Sequence, residues 1–214
     1  MAKHEQISST HRFSITISRQ MGSLGCEIAR KTADLLGYRT VWQDLINQAA
    51  IRAGAPEVAL ATIDEFGLLG VSPSPRARKA YQQAVRQVME ELAASGNVVI
   101  VGRAGQAILA GRTDVLHVRV IAPPSLRAER IAQRKGIPLD GAQAQVEASD
   151  RYRQHYLRRF YHVRWDNPEL YDLVINTGRV SPAAAADLIR QALVHRQNQF
   201  NNPPLEQENS LESL

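Results

Sequence analysis

Residues 15–29, ITISRQMGSLGCEIA, have the residue types of a phosphate-binding turn. An apolar run, a turn with two glycines and a helix start follow one another directly. Gly22 and Gly25 let the backbone approach an anion closely, and the first turn of the helix presents unpaired N–H groups and the positive end of its dipole. The segment therefore predicts a phosphorylated ligand, held by the main chain of Gly22, Ser23, Leu24, Gly25, Cys26 and Glu27.

The turn departs from the full nucleotide-binding pattern G-x-x-x-x-G-K-[ST], whose Lys and hydroxyl contact phosphate and Mg²⁺. Aligned through Gly22, the chain has Arg19 at the first Gly, Gly25 at the Lys and Glu27 at the Ser/Thr. Arg19 is a candidate to replace the missing lysine as the cation that contacts phosphate. The structural alternative is that Arg19 forms an ion pair with Glu27 or Asp44. Glu27 is either a Mg²⁺ ligand or an acid stabilised by the helix dipole. An ordinary strand-to-helix turn is the alternative for the whole segment.

Arginines further along the chain could stabilise a phosphoryl group in transfer, because the charge of that transition state lies on oxygens that cationic groups can contact. Arg127, Arg130 and Arg134 recur at i, i+3 and i+7 of a predicted helix. This spacing predicts one basic face, which is either a phosphate clamp or a solvated stripe.

A second arginine group lies in the predicted helix near residues 150–163. Arg153 falls close to the apolar face of that helix, where an unpaired charge is costly to bury. It therefore needs an anion, which is Asp150, Asp166 or a ligand phosphate. Another face of the same helix collects Arg151, His155, Arg158 and His162.

The elements that position these residues follow an alternating pattern. Five β-rich runs, FSITIS, RTVW, NVVIVG, VLHVRVIA and YDLVIN, are each followed by helix-compatible sequence. This rhythm predicts an α/β fold with a five-stranded parallel sheet between helices. Ligands of such sheets bind beyond the carboxyl ends of the strands. Arg19, Gly102 and Arg103 follow strand ends directly, so we expect them to face the same crevice.

Composition limits the classes of function. The chain has 214 residues, 44% of them hydrophobic, and a formal net charge of +5. We expect one domain over residues 13–196, with disordered ends at 1–12 and 197–214. The charge suits anionic substrates, but without a long basic run nucleic-acid binding is not favoured. Cys26 is the single cysteine, and neither a signal peptide nor a membrane span is evident. A soluble cytoplasmic protein is the expectation.

Taken in order, several segments resemble the cytidylate kinase-like family. They are ITISRQMGSLGCEIA, LGY, the Asp44-Leu45-Ile46 helix start, NVVIVGRAGQAIL, VRVIAPPSLRAERI and DRYRQHYLRRFYHVRWDNPELYDLVINT. The resemblance implies a P-loop NTPase-type three-layer α/β/α fold, with an NMP-binding lobe at about 44–80 and a LID at about 127–160. It also implies transfer of a phosphoryl group from ATP, with Mg²⁺, to a pyrimidine nucleoside monophosphate such as CMP or dCMP.

The resemblance also suggests roles for single residues. Asp44 and Gly102-Arg103 look like acceptor-binding residues, the latter as the start of a Gly-Arg-Asp motif whose Asp is Ala104 here. The structural alternative for Asp44 is to cap the N-terminus of the helix that starts there. The candidate catalytic residues are Arg19, Arg103, Arg130 and Arg153, and Arg134 and Arg151 join the phosphate-binding group.

Two other classes of function stay open. One is a nucleotide-binding or sensing module of the same fold that has lost transfer, and the other is a basic scaffold for RNA. A homodimer is a further expectation, with ATP and a small phosphorylated acceptor as partners.

Overall fold

The computed structural model describes residues 12–42, 46, 51 and 74–201. In these ranges the strands are β1 (Ser14–Arg19), β2 (Arg39–Val41), β3 (Val98–Val101), β4 (Val115–Ile121) and β5 (Leu173–Asn176). The helices are α1 (Gly25–Leu36), α2 (Pro75–Ser95), α3 (Gly105–Ile108), α4 (Pro124–Lys135), α5 (Leu139–Tyr161) and α6 (Pro182–Asn201), and a short 3₁₀ turn covers Pro168–Leu170.

The five strands form one parallel sheet in the order β2-β3-β1-β4-β5, which confirms the predicted fold class. In the central pair, Ser14 lies opposite Val98 and Ile17 opposite Val101. β1 and β3 therefore end side by side, so the residues that follow Ile17 and Val101 meet at the same edge of the sheet.

Alternate residues of each strand face opposite helical layers, as the two-residue period of a strand requires. Ile15 and Ile17 of β1 pack toward α1 and α6, where Ile28 and Ile189 are fully buried. The opposite face of the sheet packs against α2 and α5. Its buried residues include Val98, Ile100, Tyr81, Met89 and Tyr156.

Helices α4 and α5 form a hairpin with a small core of its own, made by Ala128, Ile131, Ala142 and Val146. The hairpin occupies the part of the chain where the LID is expected. Its basic first helix thus has an apolar side, because the hairpin must bury one face of each helix to hold together.

The last helix extends further than the sequence predicts. Ser181 caps its start, since the Ala184 N–H donates to Ser181 Oγ at 3.2 Å. It continues to Asn201, so the expected domain end at residue 196 is too early. Phe200 explains the extension, because its ring packs edge-on against Phe13 with centroids 5.6 Å apart.

Some expectations fall outside the described residues. They are the disordered N-terminus over 1–11, the tail from 202, Asp44 and most of the NMP-binding lobe at 44–80. Among the helices that the structure describes, none combines the length and the apolar character needed to cross a bilayer.

The side chain of His117 on β4 is buried and held in one tautomer. Its Nδ1 lies 2.7 Å from Thr16 Oγ1 and its Nε2 lies 3.3 Å from the Leu109 carbonyl. Because a carbonyl only accepts, Nε2 carries the proton and Nδ1 accepts from the threonine hydroxyl. Burial lowers the pKa of His117 below its ordinary value of 6.5, although Asp172 partly opposes this shift. The folded protein therefore favours neutral His117.

We predict that protonation of His117 opposes folding in mild acid. Between the lowered folded pKa and 6.5, the unfolded chain binds more protons at this residue than the folded chain. The contribution of His117 to the free energy of unfolding is complete above pH 6.5 and declines as the pH falls below it. Urea denaturation between pH 7.5 and 5 should give a flatter pH dependence for His117→Gln than for the wild type. The exposed-site variant His155→Gln should keep the wild-type slope, and equal slopes in all three proteins would contradict the prediction.

Candidate functional site

The loop of residues 20–24, which joins β1 to α1, is held by its carbonyl groups. Arg127 Nη1 donates to the Met21 carbonyl at 3.3 Å and Arg130 Nη1 to that of Gly22 at 3.2 Å. The Thr177 hydroxyl donates to the Ser23 carbonyl at 2.9 Å. The first N–H groups of α1 have no partner within the helix. The loop thus has its acceptors fixed by the protein and its helix N-terminus suited to an anion.

The loop keeps a left-handed geometry although only part of its glycine pattern is present. Gly22 has φ +78°, and a Cβ there would lie 2.6 Å from the Arg127 carbonyl oxygen, so only glycine fits. Leu24, at the N-cap of α1, has φ 62°. A left-handed residue other than glycine costs about 1–2 kcal/mol. This backbone strain lies in the loop that the sequence predicts to bind phosphate.

Arg19 and Gly25 fit each other. A Cβ on Gly25 would lie 2.5 Å from Arg19 Cβ, and a Cβ on Gly102 would lie 2.9 Å from Arg19 Nη1. The Arg19 side chain therefore crosses the start of α1 and reaches the end of β3. Relative to the nucleotide-binding pattern, the cation has moved from the lysine position to the first glycine position, and a glycine stands where the lysine was.

The alignment of Glu27 needs correction. In the eight-residue pattern the hydroxyl position directly follows the lysine position, so it falls on Cys26 and not on Glu27. Both side chains are exposed. Glu27 forms an i, i+4 ion pair with Lys31 at 3.8 Å, as a solvated helix residue does.

The chain leaves β3 through three consecutive left-handed residues, Gly102, Arg103 and Ala104, with φ values of 83°, 53° and 56°. Two of them carry a Cβ, so this turn also stores strain, and such strain concentrates at functional sites. The turn directs Arg103 into the protein, where its side chain is 8% exposed.

Three arginines line one small cavity at the carboxyl ends of β1 and β3. They are Arg19, Arg103 and Arg153, and Gln106 and Tyr156 also contribute to the wall. The cavity volume is about 40 Å³, which is room for about three water molecules. A group the size of a phosphate fits this space, whereas a whole nucleoside does not. Three guanidinium groups around one cavity favour a dianion, and their planar forks suit its oxygens.

Trp165 forms the back wall of this three-arginine cavity. Its indole N–H donates to Ser18 Oγ on β1 at 2.8 Å, and the guanidinium carbon of Arg153 lies 5.9 Å from the centre of its ring. Arg153 also donates to Ser149. The place of Trp165 at the cavity carries no sequence signal, because this residue lies in an irregular segment between α5 and β5.

The other candidate arginines are not part of the cavity wall. Arg127, predicted on the same face as Arg130 and Arg134, is 2% exposed and pairs with Asp150, with Nη2 and Oδ2 2.8 Å apart. Asp150 is thus engaged by Arg127. Arg130 Nη2 donates to the Thr177 carbonyl at 2.9 Å in addition to its bond to the loop.

Arg134 and Arg151 are exposed, and Arg151 lies 3.7 Å from Glu147. Asp44 lies outside the described residues. Of the residues predicted as the site, the structure gathers Arg19, Gly102, Arg103 and Arg153 at one cavity.

The parallel sheet, the loop between β1 and α1 and the arginines beyond the strand ends define a P-loop-type kinase fold. Solved structures agree. An uncharacterized protein from Eubacterium ventriosum superposes with a TM-score of 0.68 at 19% identity, over 86% of this chain and 99% of the other. Shikimate kinase from Bacteroides thetaiotaomicron gives a TM-score of 0.51 at 12% identity, over 85% of this chain and 98% of that enzyme. Likeness at this level of identity concerns the fold.

The sequence comparison defines the family. The chain belongs to the cytidylate kinase-like family, whose model matches residues 14–179. The cytidylate kinase of Ignicoccus hospitalis is 30% identical over 180 residues, which are 84% of this chain and 98% of that enzyme. A protein named uronate isomerase from Corynebacterium glutamicum is 28% identical over 147 residues. These residues are 69% of this chain, which spans only 28% of the length of that protein. Family and fold together support a nucleotide kinase-like function.

We predict that a lysine at position 25 destabilises the fold while Arg19 is present. Gly25→Lys should lower the free energy of unfolding by about 2 kcal/mol, because its Cβ would overlap Arg19 Cβ. The double variant Arg19→Gly, Gly25→Lys should recover most of this loss, as chemical denaturation of all four proteins would measure.

Gly141→Lys is the matched control, since this glycine lies in the first turn of α5 with no atom within 4 Å of its Cβ position. It should cause no loss. Additive effects of the two substitutions at positions 19 and 25 would contradict the proposed fit between Arg19 and Gly25.

Proposed function

We propose that the protein is a phosphotransferase that moves the γ-phosphoryl group of ATP to a pyrimidine nucleoside monophosphate, CMP or dCMP. The observation that carries the proposal is the convergence of Arg19, Arg103 and Arg153 on one phosphate-sized cavity beside the loop between β1 and α1. Catalysis of phosphoryl transfer consists mainly of positioning and of stabilising charge on the transferred oxygens. Guanidinium groups held by a rigid sheet edge supply both.

Each group has a proposed part in the reaction. The main chain of residues 22–27 holds the donor phosphates. Arg103, fixed by its left-handed turn, binds the acceptor phosphate together with the backbone of Gly102. Arg19 lies between the start of α1 and the end of β3, so it bridges donor and acceptor in the place of the missing lysine. Arg153 belongs to the α4–α5 hairpin and lines the cavity beside the other two, so this hairpin contributes one cation and helps to exclude water from the reaction.

The remaining candidates do not line the cavity. Arg130 supports the reaction through the loop, because it is bonded to the Gly22 carbonyl and to Thr177. Arg134 and Arg151 are exposed on the hairpin and serve the donor phosphates. Asp44 is proposed as an acceptor-binding residue on the resemblance alone.

The choice of acceptor is supported by relatives that are named cytidylate kinases. The acid of the Gly-Arg-Asp motif is Ala104 here, so another group must read the base. Gln106 is not that group, because it is 3% exposed and lines the phosphate-sized cavity itself.

The described residues do not fit a dedicated Mg²⁺ site. The hydroxyl position of the pattern is Cys26, whose thiol is a poor ligand for a hard cation. No group of three or more His, Cys, Asp or Glu side chains with metal-binding geometry occurs in the described ranges. Mg²⁺ would therefore arrive on the phosphates of ATP, and the protein's own contribution is made by arginines and main-chain amides.

A second candidate function is a nucleotide-binding module that no longer transfers phosphate. The absence of a lysine at Gly25 and of an acid at Ala104 favours it. Binding and turnover must therefore be measured together to separate the two functions.

The test is a coupled ADP-release assay with ATP, Mg²⁺ and a panel of nucleoside monophosphates, beside calorimetric titration of ATP. The proposal expects turnover with CMP or dCMP above the rate for AMP, UMP and GMP. Binding without turnover would assign the protein to the second candidate function, and absence of nucleotide binding would exclude both.

We predict that Arg103→Ala lowers kcat/KM by about 100-fold or more, because one preorganised donor to a transferring group is worth that much. Its melting temperature should change little in comparison. Arg159→Ala, an exposed arginine of α5 away from the cavity, is the matched control and should keep wild-type kinetics. Parallel losses of activity and stability in Arg103→Ala would assign Arg103 a structural role.

A further inference from the structure

A second groove lies at the carboxyl ends of β4 and β5, on the other side of the Arg119–Trp165 contact from the three-arginine cavity. We call it the edge groove. Its volume is about 460 Å³, and its polar lining residues are Gln20, Arg119, Asp166 and Asn176. Small-molecule sites have volumes of roughly 300–1,000 Å³. The edge groove is therefore large enough for a small organic ligand.

Arg119 is a buried cation in the wall of the edge groove. It is 8% exposed, and its guanidinium carbon lies 4.9 Å from the centre of the Trp165 ring and 5.5 Å from that of Tyr171. Nη1 donates to the Trp165 carbonyl at 2.5 Å, whereas Nε has no hydrogen-bond partner in the described structure. Aromatic rings contact the guanidinium, Nη1 is engaged by a carbonyl and Nε is buried, so Nη2 is the nitrogen that remains for an anionic group of a ligand in the edge groove.

The two amides of the edge groove are oriented by the backbone. The Ala122 N–H donates to Gln20 Oε1 at 3.1 Å, and the Gly178 N–H donates to Asn176 Oδ1 at 2.9 Å. Because a backbone N–H can only donate, the oxygen of each amide must face it. The group that remains on Gln20 and on Asn176 is the NH₂. Both amides therefore act as hydrogen-bond donors toward a ligand.

Asp166, the one acid among the described lining residues of the edge groove, has a cationic partner of its own. Asp166 is held by Arg164, whose Nη2 lies 3.0 Å from Oδ2, and this bond is the main reason that the pKa of Asp166 is lowered. Within the described residues no carboxylate lies within 4.0 Å of Arg119. Arg119 is thus a cation without a carboxylate partner in the described residues, and the negative charge that Asp166 adds to the groove is paired with Arg164.

The rest of the wall is apolar. Ile121, Pro123, Pro168 and Val174 line the edge groove, and Val174 is 47% exposed on an edge strand of the sheet. An inorganic ion would leave these side chains without contact, whereas a small molecule with an apolar body would cover them.

We propose that the edge groove is a binding site for a small organic anion, with its carboxylate or phosphate on Arg119, Gln20 and Asn176 and its apolar part on Ile121 and Val174. The site is separate from the three-arginine cavity. Gln20 is also the first residue of the loop between β1 and α1, so an occupied edge groove fixes one end of that loop.

The test is an NMR titration of the ¹⁵N-labelled protein with phenyl phosphate, with inorganic phosphate as the anion alone. Phenyl phosphate should shift the side-chain NH₂ signals of Gln20 and Asn176 and the Nε–H signal of Arg119 saturably, and inorganic phosphate should bind more weakly. Val174→Asp places a negative charge, the same sign as that of the ligand, at the mouth of the edge groove. It should weaken the binding of phenyl phosphate by about tenfold or more.

Two variants control the test. Leu188→Asp introduces the same charge at a side chain of α6 that is 48% exposed, and it should leave the titration unchanged. Asn176→Asp keeps the acceptor for the Gly178 N–H but replaces the NH₂ donor by an oxygen, so it should also weaken binding.

Shifts confined to Arg19, Arg103 and Arg153 would overturn the inference, and so would equal affinity in Val174→Asp and Leu188→Asp. Because the readout is binding at the edge groove, the result does not depend on whether the protein transfers phosphate.

Discussion

The buried guanidinium of Arg127 is the interaction on which the site geometry depends. It donates to the Met21 and Ala122 carbonyls and pairs with Asp150, so it connects the loop after β1, the end of β4 and helix α5. Gly22 packs directly on its backbone. Removing one partner of such a pair leaves an uncompensated charge, which costs about 3–5 kcal/mol. The loop and the hairpin are therefore positioned by one side chain that does not line the cavity.

The sequence predicts the framework well, because its signals are local. Helix α1 begins directly after the predicted phosphate-binding turn and runs from Gly25 to Leu36, where Gly37 ends it with φ 65°. The convergence of Arg19 and Arg103 also follows from a rule, since parallel strands that pair as β1 and β3 do end at the same edge. The order of strands and helices along the chain and the identity of the turn residues are sufficient to predict the start of α1 and the meeting of Arg19 and Arg103.

The rest of the site depends on how deeply side chains are buried and on contacts between residues that are far apart in the chain. The spacing of residues along the sequence does not encode either property. Arg127 and Arg134 share one predicted helical face, yet the first is buried against Asp150 and the second is in solvent. Trp165 reaches Ser18 across 147 residues of chain. The extension of α6 depends on Phe200 and Phe13, which lie near opposite ends of the chain. Such pairs become visible only when the whole fold is assembled.

The fit between Arg19 and Gly25 couples substitution at these two positions. A β-carbon at position 25 would lie 2.5 Å from that of Arg19, so each position accepts a side chain at low cost only while the other is glycine. Single-step exchange between a loop with glycine at 19 and lysine at 25 and the present loop must therefore either pass through glycine at both positions, with no cation at either, or carry the cost of the overlap.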